Sequence, residues 1–288
     1  MKRINVILAA LTLLGLMTGC GGGSNTNTSA GTPGITFTFN HSVKEWKSDG
    51  KNEETIYLGG SGTASIDWGD GSPVETVTLS SITWKYFENF WYCETENAEI
   101  KHSYLQAAEY CVKISGEDIT TFNCRELNVE SLTINISTLK ELDCSRNKLT
   151  TLDLRKFPAL ERLNCGENPL ETLDVSKNKA LKLLCCNENK LTTLDLSANT
   201  SLEWLNCSEN HELKSLDVSK NKNICYIRCR MTGLSEEGLN ALFQTLPFRD
   251  GGDEGWIDIM YNDGDDTCDR SIAEKKGWDV YVNYDEAG

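Results

Sequence analysis

The sequence predicts a multidomain chain in which a small all-β sandwich is followed by a parallel β-solenoid and closed by an α/β cap. Three observations carry that prediction: a 21-residue self-similarity that starts at Leu139, two-residue alternation of apolar side chains within residues 35–116, and a change to helical spacing after Gly233.

At the start of the chain, Lys2 and Arg3 precede the apolar run Ile4 to Met17, interrupted by Asn5 and Thr12, and Thr18-Gly19-Cys20 follows. A run this short behind a basic pair reads as a signal peptide over residues 1–19 rather than as a membrane span. Small Thr18 and Gly19 directly before Cys20 resemble the lipobox of bacterial lipoproteins, with Met17 standing where that family usually has Leu. The resemblance implies that Cys20 becomes the N-terminus and carries acyl chains; the alternative is a plain secretory signal with a chance cysteine. Each buried methylene contributes about 0.8 kcal/mol, so two or three chains hold a protein at a bilayer without a transmembrane helix. The Gly, Ser, Asn and Thr that dominate residues 21–34 cannot bury enough surface to order themselves, so residues 20–34 read as a lipidated cysteine and flexible tether.

The formal net charge is −15, and removal of Lys2 and Arg3 takes the remainder near −17. Such a balance excludes a nucleic-acid partner, which requires a basic stripe, and disfavours direct contact with anionic lipid. About 254 residues remain after the tether, enough for more than one core.

Residues 35–118 read as all-β. Alternation appears in Ile35-Thr-Phe37-Thr-Phe39, in Thr63-Ala-Ser-Ile66-Asp-Trp68 and in Tyr110-Cys-Val112-Lys-Ile114. Asp67-Trp68-Gly69-Asp70-Gly71-Ser72, His102-Ser103-Tyr104 and the Tyr110 to Ile114 strand together resemble the PKD-type immunoglobulin-like domain. Two departures stand out: Ala107 and Ala108 occupy a turn where the family has glycine, and Trp84 to Glu96 is an aromatic insertion.

Residues 119–233 carry the repeat. Leu139-Lys-Glu-Leu142-Asp-Cys144-Ser-Arg-Asn147-Lys-Leu149 recurs from Leu160, Leu181 and Leu202, with a degenerate copy from Ile119 and a last one from Ile224. In each copy one short strand puts a Leu or Ile and a Cys inward, and stacking about 4.8 Å apart joins Leu142, Leu163, Leu184, Leu205 and Ile227 into one core. The second halves, such as Leu152-Asp153-Leu154 and Leu173-Asp174-Val175, form an inward column on the opposite wall. The pattern LxxLxCxxNxL followed by xxLDLSxN resembles the short bacterial class of leucine-rich repeats, internalin-like, over roughly Ile119 to Arg230.

Residues 234–288 read as the cap. Ser235 suits an N-cap, Glu236 and Glu237 suit the positive end of a helix, and Leu239, Leu242, Phe243 and Leu246 follow at helical spacing up to Pro247. Trp256 to Tyr261 and Trp278 to Tyr284 read as strands around a short helix near Arg270 to Lys276.

Twelve cysteines in an exported chain would ordinarily suggest disulfides. However, Cys124, Cys144, Cys165, Cys186, Cys207 and Cys229 share one inward position, where neighbours about 4.8 Å apart are too distant for a bond and a line cannot supply the tetrahedron that zinc needs. They read as small apolar fillers. Cys93 with Cys111 is the candidate disulfide. Asn147, Asn168, Asn189 and Asn210 read as scaffold amides bonding the backbone of their own and adjacent coils. Asp153, Asp174, Asp195 and Asp217 read as a solvated face balanced by Lys156, Lys177, Lys179, Lys220 and Lys222, with calcium as the alternative. The aspartates around Asp265 and at Asp67 and Asp70 lack the spacing of a calcium hand and read as turn residues.

No zinc-protease helix follows His211-Glu212, no G-x-S-x-G elbow occurs and no phosphate-cradling loop occurs. The chain is therefore expected to be no enzyme and to need no cofactor or metal. The outward positions of the first strands give two columns, Thr121, Glu141, Arg162, Leu183, Trp204, Tyr226 and Asn123, Asp143, Asn164, Cys185, Asn206, Arg228. The first turns apolar toward its end. Leu183, Trp204 and Tyr226, with Arg228 and Arg230 at their edge, form the candidate ligand site, unless the cap covers them or they only stiffen the sheet.

The resemblances imply an anchored binding or adhesion module of the bacterial cell envelope that meets a protein or glycan partner and touches the membrane through its lipid alone. An outer-membrane location is expected, because Gly21 replaces the aspartate associated with inner-membrane retention. The alternative is an envelope glycan-processing enzyme or accessory protein with its site in the cap or sandwich.

Overall fold

A computed structural model describes residues 34–42, 53–81, 84–87, 90–93, 99–249 and 254–282. The signal segment, Cys20 and most of the tether lie outside the described residues. Among the described residues no helix is long and apolar enough to cross a membrane.

The N-terminal strands are β1 (Gly34–His41), β2 (Glu53–Gly60), β3 (Thr63–Asp67), β4 (Glu75–Thr78), β5 (Trp84–Phe87), β6 (Phe90–Cys93), β7 (Glu99–Ser103), β8 (Ala108–Ser115), β9 (Ile119–Asn123) and β10 (Val129–Asn135). Five of them form an antiparallel sheet in the order β10-β1-β8-β3-β4, and β5 and β6 pair as a separate hairpin. Alternation in β1 buries Ile35, Phe37, Phe39 and His41 on one face. Phe37 lies 5.8 Å from the ring of Phe122 in β9, which belongs to a second sheet, so the two sheets meet through their apolar faces.

Residues of the two quoted N-terminal motifs converge on this core. Trp68 stacks on His102 at 4.6 Å and 9°, His102 Nε2 lies 2.8 Å from an Asp70 carboxylate oxygen, and the buried Tyr104 hydroxyl donates to the Trp68 carbonyl at 3.0 Å. Gly69 has φ 77°, and a Cβ there would stand 2.4 Å from the Cys111 carbonyl oxygen, so both the backbone and the space demand glycine. Cys111 is disulfide-bonded. The side chain of its expected partner, Cys93, lies outside the described residues.

The second sheet crosses the expected boundary between residues 118 and 119 without a break. β9 pairs antiparallel with β2 on one side and parallel with the first strand of the solenoid on the other, so Phe122 sits between Leu58 and Leu142. The first repeat is also divided differently from the expectation. Its second half becomes β10 and runs antiparallel along β1 with Ile134 opposite Ile35. This first coil supplies β1 with an edge partner and buries Val129 and Ile134 there.

From there the sheet is a parallel ladder of three-residue strands: β11 (Glu141–Asp143), β12 (Arg162–Asn164), β13 (Leu183–Cys185), β14 (Trp204–Asn206) and β15 (Tyr226–Arg228). Leu142, Leu163, Leu184, Leu205 and Ile227 align in register, each at most 2% exposed. The opposite wall is irregular backbone, yet Leu154, Val175, Leu196 and Val218 are buried along it.

After β15 the helix α1 (Glu236–Thr245) takes the stretch that earlier coils give to Leu-Asp-Leu, with Ser235 accepting from the Gly238 amide and Leu239, Leu242 and Phe243 buried. β16 (Gly255–Asp258), the short helix α2 (Ser271–Glu274) and β17 (Trp278–Tyr281) follow. The last two strands do not form a sheet of their own. β16 pairs parallel with β15, and β17 parallel with β16, giving the ten-stranded order β17-β16-β15-β14-β13-β12-β11-β9-β2-β7.

Two asparagine columns bind the coils. Asn168 Nδ2 donates to the carbonyls of Cys144 and Cys165 at 3.0 and 3.2 Å, while its Oδ1 accepts from Leu149 N at 3.0 Å; Asn147, Asn189 and Asn210 repeat the pattern, and Asn262 extends it. The second column was not singled out in the sequence: fully buried Asn178, Asn199 and Asn221 donate to carbonyls of the coil before, such as Leu154 and Phe157. Each such bond contributes only about 1 kcal/mol net, but a buried carbonyl left without its donor costs about 1–3 kcal/mol. Directly before the first column, Arg146, Glu167, Glu188 and Glu209 adopt left-handed φ of 51–58° without being glycine, turning the chain so that the asparagine points inward.

The six inward cysteines are unpaired and fully enclosed, and burial holds their thiols above the ordinary range, to about 12 for Cys207. A thiol reagent is expected to miss Cys144, Cys165, Cys186 and Cys207 in the folded protein and to modify all four after denaturation without reductant. Peptide mapping checks this, and a disulfide-linked pair among the four would refute the filler role.

Candidate functional site

The outward column of the sheet begins polar and ends aromatic. Thr121, Glu141, Arg162, Leu183, Trp204 and Tyr226 stand in register, and Trp256 of β16 and Asp279 of β17 continue the line. Trp204 and Tyr226 stack at 4.9 Å and 8°, and Tyr226 and Trp256 at 4.5 Å and 17°. Tyr281, from the neighbouring column, closes on Trp256 at 5.7 Å and 28°. Each such ring pair contributes about 0.5–1.5 kcal/mol beyond its buried area.

The C-terminal strands therefore lengthen the aromatic column instead of covering it. Leu183, Trp204, Tyr226 and Trp256 are all partly exposed, and Tyr281 is 40% exposed. Trp256 was missed in the sequence although Trp256-Ile257-Asp258 repeats the Tyr226-Ile227-Arg228 pattern. Its spacing of 30 residues, stretched by α1, hides it from a 21-residue period.

Arg228 and Arg230 lie beside these rings. The Arg228 guanidinium carbon is 5.6 Å from the ring centres of both Tyr226 and Trp256, and that of Arg230 is 5.7 Å from Tyr261, itself 62% exposed. Beneath them is Asp258, 1% exposed, with one carboxylate oxygen 3.7 Å from Arg228 Nε and 3.8 Å from Arg230 Nε. Its other oxygen accepts from Met260 N at 3.1 Å. Burial raises the Asp258 pKa despite both cations. The structure thus brings all five predicted residues to one end of the face and adds Trp256, Asp258, Tyr261 and Tyr281.

The second outward column departs from the expectation of an open row. Asn123, Asp143, Cys185 and Asn206 are buried. The polar members bend back to accept from the amide two residues on: Asn123 from Arg125, Asp143 from Ser145, Asn164 from Gly166 and Asn206 from Ser208. The aspartates of the opposite wall do the same. Asp153, Asp174, Asp195 and Asp217 accept from Arg155, Ser176, Ser197 and Ser219, which lowers their pKa values, that of Asp153 to about 2 through Arg155. In the last loop Asp265 accepts from Tyr261 N and Asp269 from Ser271 N. Among the described residues there is no group of three or more His, Cys, Asp or Glu placed to hold a metal.

Residues 137–178 match the family model for leucine-rich repeats, in two copies. No curated protein matches the chain. Among solved structures, the functional domain of InlJ from Listeria monocytogenes, described as including a cysteine ladder, is 28% identical, with 57% of this chain and 39% of that chain covered and a TM-score of 0.43. The internalin InlF from the same organism is 19% identical, covering 57% and 46%, with a TM-score of 0.46. A leucine-rich-repeat protein of Leptospira interrogans is 17% identical, covering 52% and 44%, with a TM-score of 0.39. The chain spans less than half the length of each of these three. It contains leucine-rich repeats, shown over residues 137–178 by the family match.

Burial pushes the Asp143 carboxyl above its ordinary value, outweighing the Ser145 hydrogen bonds that lower it. The folded chain then holds this proton to higher pH than the unfolded chain does. The corresponding stability is complete below the unfolded value of about 3.9 and is lost as pH rises through the native value. Asp143→Asn, which installs the residue present at 123, 164 and 206, is expected to match the wild type near pH 3 and to exceed it in urea midpoint at pH 7. A lower midpoint at pH 7 would mean that the bonds to the carboxylate dominate.

Proposed function

We propose that the chain is a lipid-anchored, non-catalytic binding protein of the bacterial envelope that meets a protein partner with the C-terminal half of its repeat face. The observation that carries this reading is the half-exposed Trp204–Tyr226–Trp256 stack flanked by Arg228 and Arg230. Trp, Tyr and Arg are the residues in which interface energy concentrates, and a contiguous apolar patch with a polar rim is uncommon on a surface without a partner. The resemblance to internalin-like repeats supports the same use of the face. The PKD-like sandwich serves as a spacer, and acyl chains on Cys20 hold the assembly at the outer membrane.

The face is tested with a photo-crosslinking amino acid at Asp279, exposed at the end of the aromatic column, and at Thr193, exposed on the irregular wall, in intact cells. Discrete protein adducts are expected from position 279 and not from 193. Trp204→Ala is expected to reduce those adducts fivefold or more, with a thermal midpoint within a few degrees of the wild type. Equal adducts from both positions, or none from 279, would overturn the reading.

The anchor depends on the sulfur of Cys20. Cys20→Ala is expected to abolish labelling by a fatty-acid probe and to move the protein from the membrane to the soluble fraction. Retained labelling would refute lipidation at this residue.

A further inference from the structure

The stacked rings leave little room for a sugar. A pyranose binds an aromatic side chain by laying its C–H face on an open ring face, and here both faces of Tyr226 are taken, by Trp204 at 4.9 Å and by Trp256 at 4.5 Å. With interplanar angles of 8° and 17°, what the column offers outward is ring edges. Ring edges carry the positive end of the aromatic quadrupole, so this surface is apolar and mildly electropositive.

Two guanidinium ions, Arg228 and Arg230, flank the middle of the column, the first at Tyr226 and Trp256, while Asp279 stands at its far end. Asp258 is 1% exposed and stands behind Arg228 and Arg230, so an arriving group meets the two guanidinium ions and not the carboxylate. At Asp258 one buried carboxylate stands against two cations, in a chain of net charge −15. The pairing is also loose. At 3.7 and 3.8 Å neither Nε is within hydrogen-bonding distance of Asp258, and Arg228 Nε is buried with no acceptor in reach. A guanidinium is a planar fork suited to a carboxylate, and the outer edges of Arg228 and Arg230 are partly exposed.

We propose that the partner is a polypeptide presenting a carboxylate, an Asp or Glu side chain next to apolar residues. The carboxylate docks on Arg228 and Arg230 while its neighbours cover the edges of Trp204, Tyr226 and Trp256. Three ladder steps from Leu183 to Trp256 span about 14 Å, the length of about four residues of extended chain. This inference rests on the reading of the aromatic face as the binding surface.

The probe is a random twelve-residue peptide library displayed on phage and selected on the purified folded protein. Expected are enriched peptides with Asp or Glu within two positions of an aromatic or branched aliphatic residue. Replacing that acid by its amide, or making Arg230→Gln in the protein, is expected to weaken binding tenfold or more, and the two changes together should cost no more than either alone. Arg230→Gln leaves Arg228 on Asp258 and so preserves the buried counter-ion; Arg228→Lys, which keeps the charge and loses the fork, is expected to give an intermediate loss. Enriched peptides that need Trp204 but carry no acid, or that carry Lys or Arg instead, would overturn the carboxylate proposal and leave the face as a binding surface. Absence of any peptide that depends on Trp204, with Trp204-dependent binding on a glycan array, would overturn both.

Discussion

A three-residue strand cannot stand alone, and each coil of this protein leaves backbone groups and an apolar edge for the next coil to cover. The rest of the structure follows from that obligation. Parallel pairing aligns Leu142 through Ile227, and Asn147, Asn168, Asn189 and Asn210 carry each coil's turn carbonyls into hydrogen bonds that the short strands cannot supply. Stability in such a stack is close to a sum of coil and interface contributions, so both ends need terminators. At one end β2 lies antiparallel on β9; at the other, α1 fills the last wall and β16 and β17 extend the ladder.

The 21-residue period made the solenoid legible because each inward position in a stacked coil is under the same packing constraint in every copy. Leu and Cys recur there for want of room for anything else. Where a residue escapes that constraint, the period is silent. Val129 to Asn135 resembles the second half of a repeat, yet it joins β1, since the first coil has no predecessor on that side to receive it. Trp256 lies beyond a helical insertion that breaks the count. The left-handed turn at Glu167, Glu188 and Glu209 gives no sequence cue, because the chain spends no glycine on it and the hydrogen bonds around it hold the conformation.

The candidate site was legible in part for a related reason. Outward positions of the first column have no scaffold duty, so their composition is free to change from the Glu141–Arg162 ion pair to the stack at Trp204 and Tyr226. Alternation alone identified those positions as outward. It could not show that the second column is buried, since an Asn or Asp that turns back to its own backbone is indistinguishable in sequence from one that faces solvent.

That hidden duty of the second column gives Arg228 its meaning. Asn123, Asp143, Asn164 and Asn206 each accept from the amide two residues on, and Asp258 resumes the same bond to Met260. Arginine has no acceptor and cannot make this contact. At Arg228 the Arg230 amide turns instead to the Ser208 hydroxyl of the preceding coil, at 3.3 Å. Cys185 on β13 also lacks the side-chain oxygen for this bond, so the column departs from its rule at two coils, and of these the one at Arg228 lies in the middle of the aromatic stack. The aromatic column and this exchange of acceptor coincide on β15, where Tyr226 and Arg228 stand side by side.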